Sequence, residues 1–302
     1  MTVQRKLVRL PQPFDLDATV DSWIYSDIQP VPEVKTPGQW ARCVPIKTNL
    51  IPIRVQQLSH HPTSKLQVEW EVTKGISPRE IVSVVKWLFG WDLDMQPVLR
   101  AIKADPIIRH LANPLVGLRP YSQPSLFEAL VKAILQQQVS FRSANQVTKR
   151  LVVAYGPRRL LGSSEVYGFP TLGVLGPLSE SELRACKLGY KAPYLVNLFS
   201  ELSRNRFRLA DLQSLGSQEA IARLDRLRGI GPWTAELVVL TGLRRLEIFP
   251  AGDLGVRALI SHLYLGGQPS KRLDVERVAA RWGKVRALVL YFLMCAQVLG
   301  LV

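Results

Sequence analysis

The chain has 302 residues, 47% hydrophobic and 21% charged, enough for two or three separate cores and unlike a disordered or low-complexity protein. No run of about 18 apolar residues is present, and Met1 to Lys6 has no apolar stretch behind its charges, which excludes a membrane span and argues against a secretory signal. The net charge of +15 is uneven: residues 1–95 hold 11 Lys/Arg and 10 Asp/Glu, residues 96–302 hold 28 and 14, so a polyanion should meet the second part.

The first twelve residues read as a basic, Pro-interrupted arm. From Ala18 to Val72 apolar and polar residues alternate between Pro and Gly breaks, with strands expected at Gln39–Val44, Leu50–Leu58 and Leu66–Val72. Pro78–Phe89 reads as a helix with Ile81, Val84, Val85 and Leu88 on one face. The rest reads as helical. Met95–Leu111 should be broken at Asp105-Pro106, and Ser125–Tyr155 opens on a capping-box pattern, Ser125 to Glu128. Further helices are expected at Ser179–Lys187, Lys191–Arg204, Ser217–Leu227, Pro232–Gly242, Leu254–Leu263, Asp274–Trp282 and Val285–Leu299. The fold class is therefore α+β: a small mixed α/β domain over residues 1–90, then a mostly α-helical core over 91–302.

Cys43, Cys186 and Cys295 are odd in number and far apart, which favours a reducing, intracellular compartment and buried thiols over disulfides. His60-His61 lacks metal-ligand spacing and reads as a loop or surface pair.

Leu227 to Arg257 carry the chemistry. Leu227-Arg-Gly-Ile-Gly-Pro-Trp-Thr-Ala-Glu236 puts a glycine turn between two helices, with both Gly229 and Gly231 expected to allow positive φ, and Pro232 at the first helical position. Such a helix start offers free N–H groups to a phosphate. Phe249-Pro-Ala-Gly-Asp253 then sets a lone carboxylate at the start of another helix, where it stays ionised. No second acid/base residue stands out near either motif.

Together these segments resemble the helix-hairpin-helix DNA glycosylases named for their Gly/Pro-rich loop and Asp, and within them the 3-methyladenine DNA glycosylase II-like branch. The similarity spans about residues 88–295, with support from Gly117-Leu-Arg-Pro120, Phe127 to Leu135, Phe169-Pro-Thr171 and Ala280-Arg-Trp282. The resemblance implies an enzyme of base excision repair that binds damaged duplex DNA as a monomer, flips a nucleotide out and hydrolyses its N-glycosidic bond with Asp253. Trp233 stands where strand-cutting relatives carry a lysine, so a monofunctional enzyme is expected, with Trp233 stacking on the flipped base. Gln136 and Gln137 are expected near the base pocket, and Gln138 is expected to fill the gap left by the base. Leu237, Leu254 and Val285 fall where family pockets are rich in aromatic residues, which leaves an aliphatic cage. Arg228, Gly229, Ile230, Gly231, Thr234 and Arg286 are expected to contact DNA, with Arg142, Lys149 and Lys284 as further phosphate candidates.

No cofactor is expected to be required. The carbonyls of Asp225, Leu227 and Ile230 could hold a sodium or potassium ion, and three scattered cysteines cannot supply a four-cysteine iron–sulfur cluster. Alkylated bases are the favoured substrate. The rival readings are excision of 8-oxoguanine and a non-catalytic helix-hairpin-helix DNA-binding protein, which would not need the Asp253 turn.

Overall fold

The computed structural model describes residues 2–10, 12–59 and 64–302; His60-His61 lies outside them. The N-terminal segment, expected as an arm, is a strand. It is β1 (Val3–Leu10), and it is followed by α1 (Leu16–Asp21), β2 (Val34–Thr36), β3 (Gln39–Ile46), β4 (Asn49–Ser59), β5 (Ser64–Glu71) and α2 (Pro78–Leu88). The five strands form one antiparallel sheet in the order β1-β5-β4-β3-β2. Val3–Leu10 gives a weak strand signal because it is an edge strand, held by pairing with a partner about sixty residues away.

The helical part continues through α3 (Gln96–Ala104), α4 (Leu126–Leu135), α5 (Phe141–Tyr155), β6 (Arg158–Leu161), β7 (Ser164–Tyr167), α6 (Leu172–Leu175), α7 (Glu180–Ala185) and α8 (Ala192–Ser203). It ends with α9 (Ser217–Leu224), α10 (Pro232–Gly242), α11 (Leu254–Tyr264), α12 (Arg272–Ala279) and α13 (Arg286–Val298). The expected break at Asp105-Pro106 is present: Asp105 caps α3, and its Oδ2 then accepts from Tyr264 Oη and Trp282 Nε1 at 2.9 and 3.0 Å. The β6–β7 hairpin was not anticipated. It lays Leu161 and Val166 against Ala41 and Cys43, covering the face of the sheet away from α2.

Three large apolar clusters organise the chain, besides the small one under the β6–β7 hairpin. One joins the sheet to α1 and α2. A second is contiguous in sequence, from Leu126 to Ile248. The third combines two distant segments, Met95 to Leu118 and Ala251 to Ala296. The last two meet where the chain passes from α10 to α11, next to the Asp253 turn.

A buried charge network ties the sheet to α4. Arg42, fully buried on β3, binds Glu33 at 2.6 Å and Glu128 at 2.6 and 2.9 Å, and Lys132 reaches Glu128 at 2.7 Å. This corrects the capping-box expectation. Ser125 does cap the Glu128 N–H at 3.1 Å, but the Glu128 carboxylate turns to Arg42 and Lys132, whose full charges outbid a backbone N–H.

Candidate active site

The turn between α9 and α10 rests on one glycine in the left-handed region. Gly229 has φ +84°, and a Cβ there would sit 2.4 Å from the Tyr194 ring. Gly231, expected to share that freedom, has an ordinary φ of −99°, and a Cβ on it would meet nothing within 4 Å. Its smallness therefore leaves open space over the start of α10. That helix begins with Pro232 and has no side-chain cap, so the N–H groups of its first turn remain for an anion.

Gln137 belongs to this turn rather than to a base pocket. Its Nε2 donates to the Gly229 carbonyl at 2.8 Å and to Thr234 Oγ1 at 2.9 Å, so both amide hydrogens bind within the protein. Thr234 and Ile230 are buried, so neither presents a side chain at the surface. Arg228 is exposed. The Leu227 carbonyl accepts from Ile230 N at 3.0 Å.

The expected helix Ser125–Tyr155 is split by the loop 136–140. Gln138 adopts φ +53°, and Ser140 caps α5 by accepting from Ser143 N. Gln138 is exposed and lies 3.2 Å from Tyr190 Oη. Lys191 holds the loop from below: its Nζ donates to the Leu135 carbonyl at 2.6 Å, and burial pushes its pKa down to about 8. Gln136 departs from the expected pocket. Still helical as the cap of α4, it lines a cavity of about 30 Å³ with Trp23, Phe141, Asn145 and Thr148, a lining that includes neither Trp233 nor Asp253.

Asp253 is the N-cap of α11. Its Oδ1 accepts from Val256 N at 2.8 Å and its Oδ2 from Trp233 Nε1 at 2.5 Å. The second bond joins α10, in one apolar cluster, to α11, in another. Trp233 itself is half-buried and belongs to neither cluster, so it is not a core anchor. Both donors to Asp253 are neutral, and no cation pairs with it among the described residues. Such a carboxylate can stabilise a positive charge that develops beside it.

Reading the sequence overlooked Glu236, one turn beyond Trp233. It is half-buried, and its carboxyl lies above the ordinary value through burial, opposed by Arg272 and reinforced by Asp253. A signal was present: Glu236 is the one ionisable residue in Pro232–Gly242.

The expected cage residues come from different elements. Leu237 packs on the cluster beneath α10, Val285 packs on the cluster beneath α13, and Leu254 is 75% exposed beside Asp253. Arg286 lies over the Phe249 ring at 5.2 Å, and Lys284 is exposed. Arg142 differs from the other phosphate candidates because its guanidinium is bound to Asp27, while Lys149 is half-buried. The three cysteines lie in three separate clusters, and burial raises the Cys43 and Cys295 thiols to about 11 and 12. No helix among the described residues is long and apolar enough to cross a membrane.

The site thus combines a glycine turn that presents helix N–H groups with a capped aspartate bound to a tryptophan. Residues 131–284 match the family model described as HhH-GPD superfamily base excision DNA repair protein, and the chain belongs to that superfamily. It is 27% identical over 215 residues to a DNA-3-methyladenine glycosylase of Bacillus subtilis, covering 71% of each chain. The 3-methyladenine DNA glycosylase structure from Archaeoglobus fulgidus superposes with TM-score 0.84 at 28% identity, over 98% of this chain and 100% of that one. An 8-oxoguanine glycosylase/lyase from Clostridium acetobutylicum, in complex with duplex DNA, shares the fold at TM-score 0.79 and 17% identity, over 100% and 99%.

Proposed function

We propose that the protein is a monofunctional DNA glycosylase that removes alkylated purines such as 3-methyladenine and 7-methylguanine from duplex DNA. The observation that carries this reading is the Trp233–Asp253 bond, which sets an aromatic ring beside a carboxylate that has no counter-charge. An N-alkylated purine often carries a positive charge and leaves as a neutral base. It needs a ring face for the cation and a carboxylate for the sugar as positive charge builds there. The 3-methyladenine names of the Bacillus and Archaeoglobus relatives support this choice over 8-oxoguanine.

In this reading the start of α10 grips a phosphate through Gly231 and the N–H groups that follow, with Arg228 and Arg286 adding charge. Gln138, exposed at the tip of its loop, enters the space left by the extruded base. The carbonyls of Asp225 and Ile230, together with that of Leu227, suit a monovalent cation that would tie the turn to the phosphate. Trp233 supplies no amine, so an abasic site is left intact. The test is a single-turnover time course on duplexes that each carry one lesion. Release of 3-methyladenine or 7-methylguanine is expected; release of 8-oxoguanine alone would overturn the substrate assignment.

A further inference from the structure

Glu236 has no part in the scheme above, yet it is carried by the same helix as Trp233. It lies three residues after Trp233, hence on the same face of α10, and Trp233 is in contact with Asp253. Its carboxyl makes no hydrogen bond or ion pair among the described residues. Arg272 on α12 and Asp253 on α11 are the charged groups that act on it, and Arg272 is already engaged by Glu276 at 2.9 Å. The two carboxyls are thus in opposite settings. Asp253 accepts two hydrogen bonds at a helix N-terminus, one on each carboxylate oxygen. Glu236 receives none and sits half-buried beside that negative charge, a setting that favours the protonated acid.

We propose that Glu236 is the proton donor to the leaving base, and that it extends excision from cationic to neutral damaged purines. A cationic base departs as a neutral molecule and needs no proton. A neutral purine departs as an anion unless a ring nitrogen is protonated as the bond breaks. In the proposed step Glu236 gives its carboxyl proton to that nitrogen while the C1′–N bond breaks. The base takes the bonding electrons, the oxygen of water bonds to C1′, and the proton that water loses restores Glu236 through solvent. Asp253 stays ionised throughout and faces the sugar. This rests on the assignment of Asp253 to the sugar, but not on the preference for alkylated bases.

The experiment compares wild type, Glu236→Gln and Asp253→Asn in single turnovers on duplexes with 7-methylguanine (cationic) or hypoxanthine (neutral). Glu236→Gln should lower hypoxanthine release by at least about 100-fold, the scale of a lost general acid, and leave 7-methylguanine release within about threefold. Wild-type hypoxanthine release should fall as pH rises above the Glu236 pKa, while the Gln variant shows no such fall. Asp253→Asn should lower both. Equal losses on both lesions in Glu236→Gln, no loss on either, or a wild type that never releases hypoxanthine would overturn the proposal. Glu236-dependent release of hypoxanthine with no release of any alkylated base would instead remove the alkyl-purine reading and leave the proton donor standing.

Discussion

Two polar groupings sit where apolar clusters meet, and they are built on opposite plans. Around Arg42 every charge has a counter-charge: Glu33, Glu128 and Lys132 close a network that is almost wholly buried. Around Asp253 there is none among the described residues. Its donors are an indole N–H and a main-chain N–H, and the nearby Glu236 adds a second acid. A balanced network has nothing left to offer a ligand and serves to fix one part of the fold against another. An unbalanced pair keeps its electrostatic potential for whatever arrives; in the proposed function that is a cationic base or a sugar gaining positive charge.

This contrast can be broken from either side. The largest effect should come from Arg42→Ala, which strands two buried carboxylates and should cost about 3–5 kcal/mol in denaturant unfolding. The same network sets the response to acid. Burial would raise Glu128, but the charges of Arg42 and Lys132 outweigh it and hold its pKa below the usual range. Its stabilisation is therefore full above the ordinary glutamate pKa of about 4.3 and is lost as pH falls through the lower folded value. Melting curves between neutral and acid pH should show that loss in the wild type, and a wild type that melts unchanged down to pH 3 would contradict it.

Asp253→Asn should do the reverse of Arg42→Ala. Excision should fall by at least about 100-fold, with folding stability and duplex affinity close to wild type. Near-normal excision would remove Asp253 from the chemistry. A smaller effect is expected from Gly231→Asp, whose new Cβ meets no protein atom. Affinity should drop about tenfold for damaged and undamaged duplexes alike, because phosphate contacts carry no sequence information. An unchanged salt dependence of binding would make the turn purely structural. No effect at all is expected from borohydride. Trp233 has no amine, and the ammonium of Lys191, whose pKa is pushed to about 8, is bound to Leu135. A trapped protein–DNA adduct would show that some lysine forms a Schiff base.

What could be read from the sequence was what local chemistry dictates. The bounds of α10 follow from Pro232 at its first position, and Asp253 as N-cap follows from its turn. What could not be read depends on distant partners. Nothing near Arg42 announces Glu128, which lies 86 positions away. The break in Ser125–Tyr155 contains neither Pro nor Gly; it relies on Gln138 at positive φ and on Lys191 reaching Leu135. Gln137 was drawn towards the base because its neighbours Gly229 and Thr234 are distant in sequence. Gly162, at positive φ in the two-residue turn between β6 and β7, could have revealed the hairpin. Glu236, alone on an apolar helix, could have been flagged in the same way.

The third apolar cluster, assembled from Met95–Leu118 and Ala251–Ala296, also fixes when this enzyme can become active during synthesis. The Leu126–Ile248 cluster is complete in sequence once Ile248 has left the ribosome, and the turn between α9 and α10 can form with it. Asp253 has no floor until α13 arrives. Trp23 must then wait for Tyr291, 268 residues later, to close the 2.6 Å bond between the chain's two ends. Nascent chains should therefore acquire the DNA grip before the chemistry. Ribosome-held chains of increasing length would show two separate onsets, with excision appearing only after Val298 has emerged.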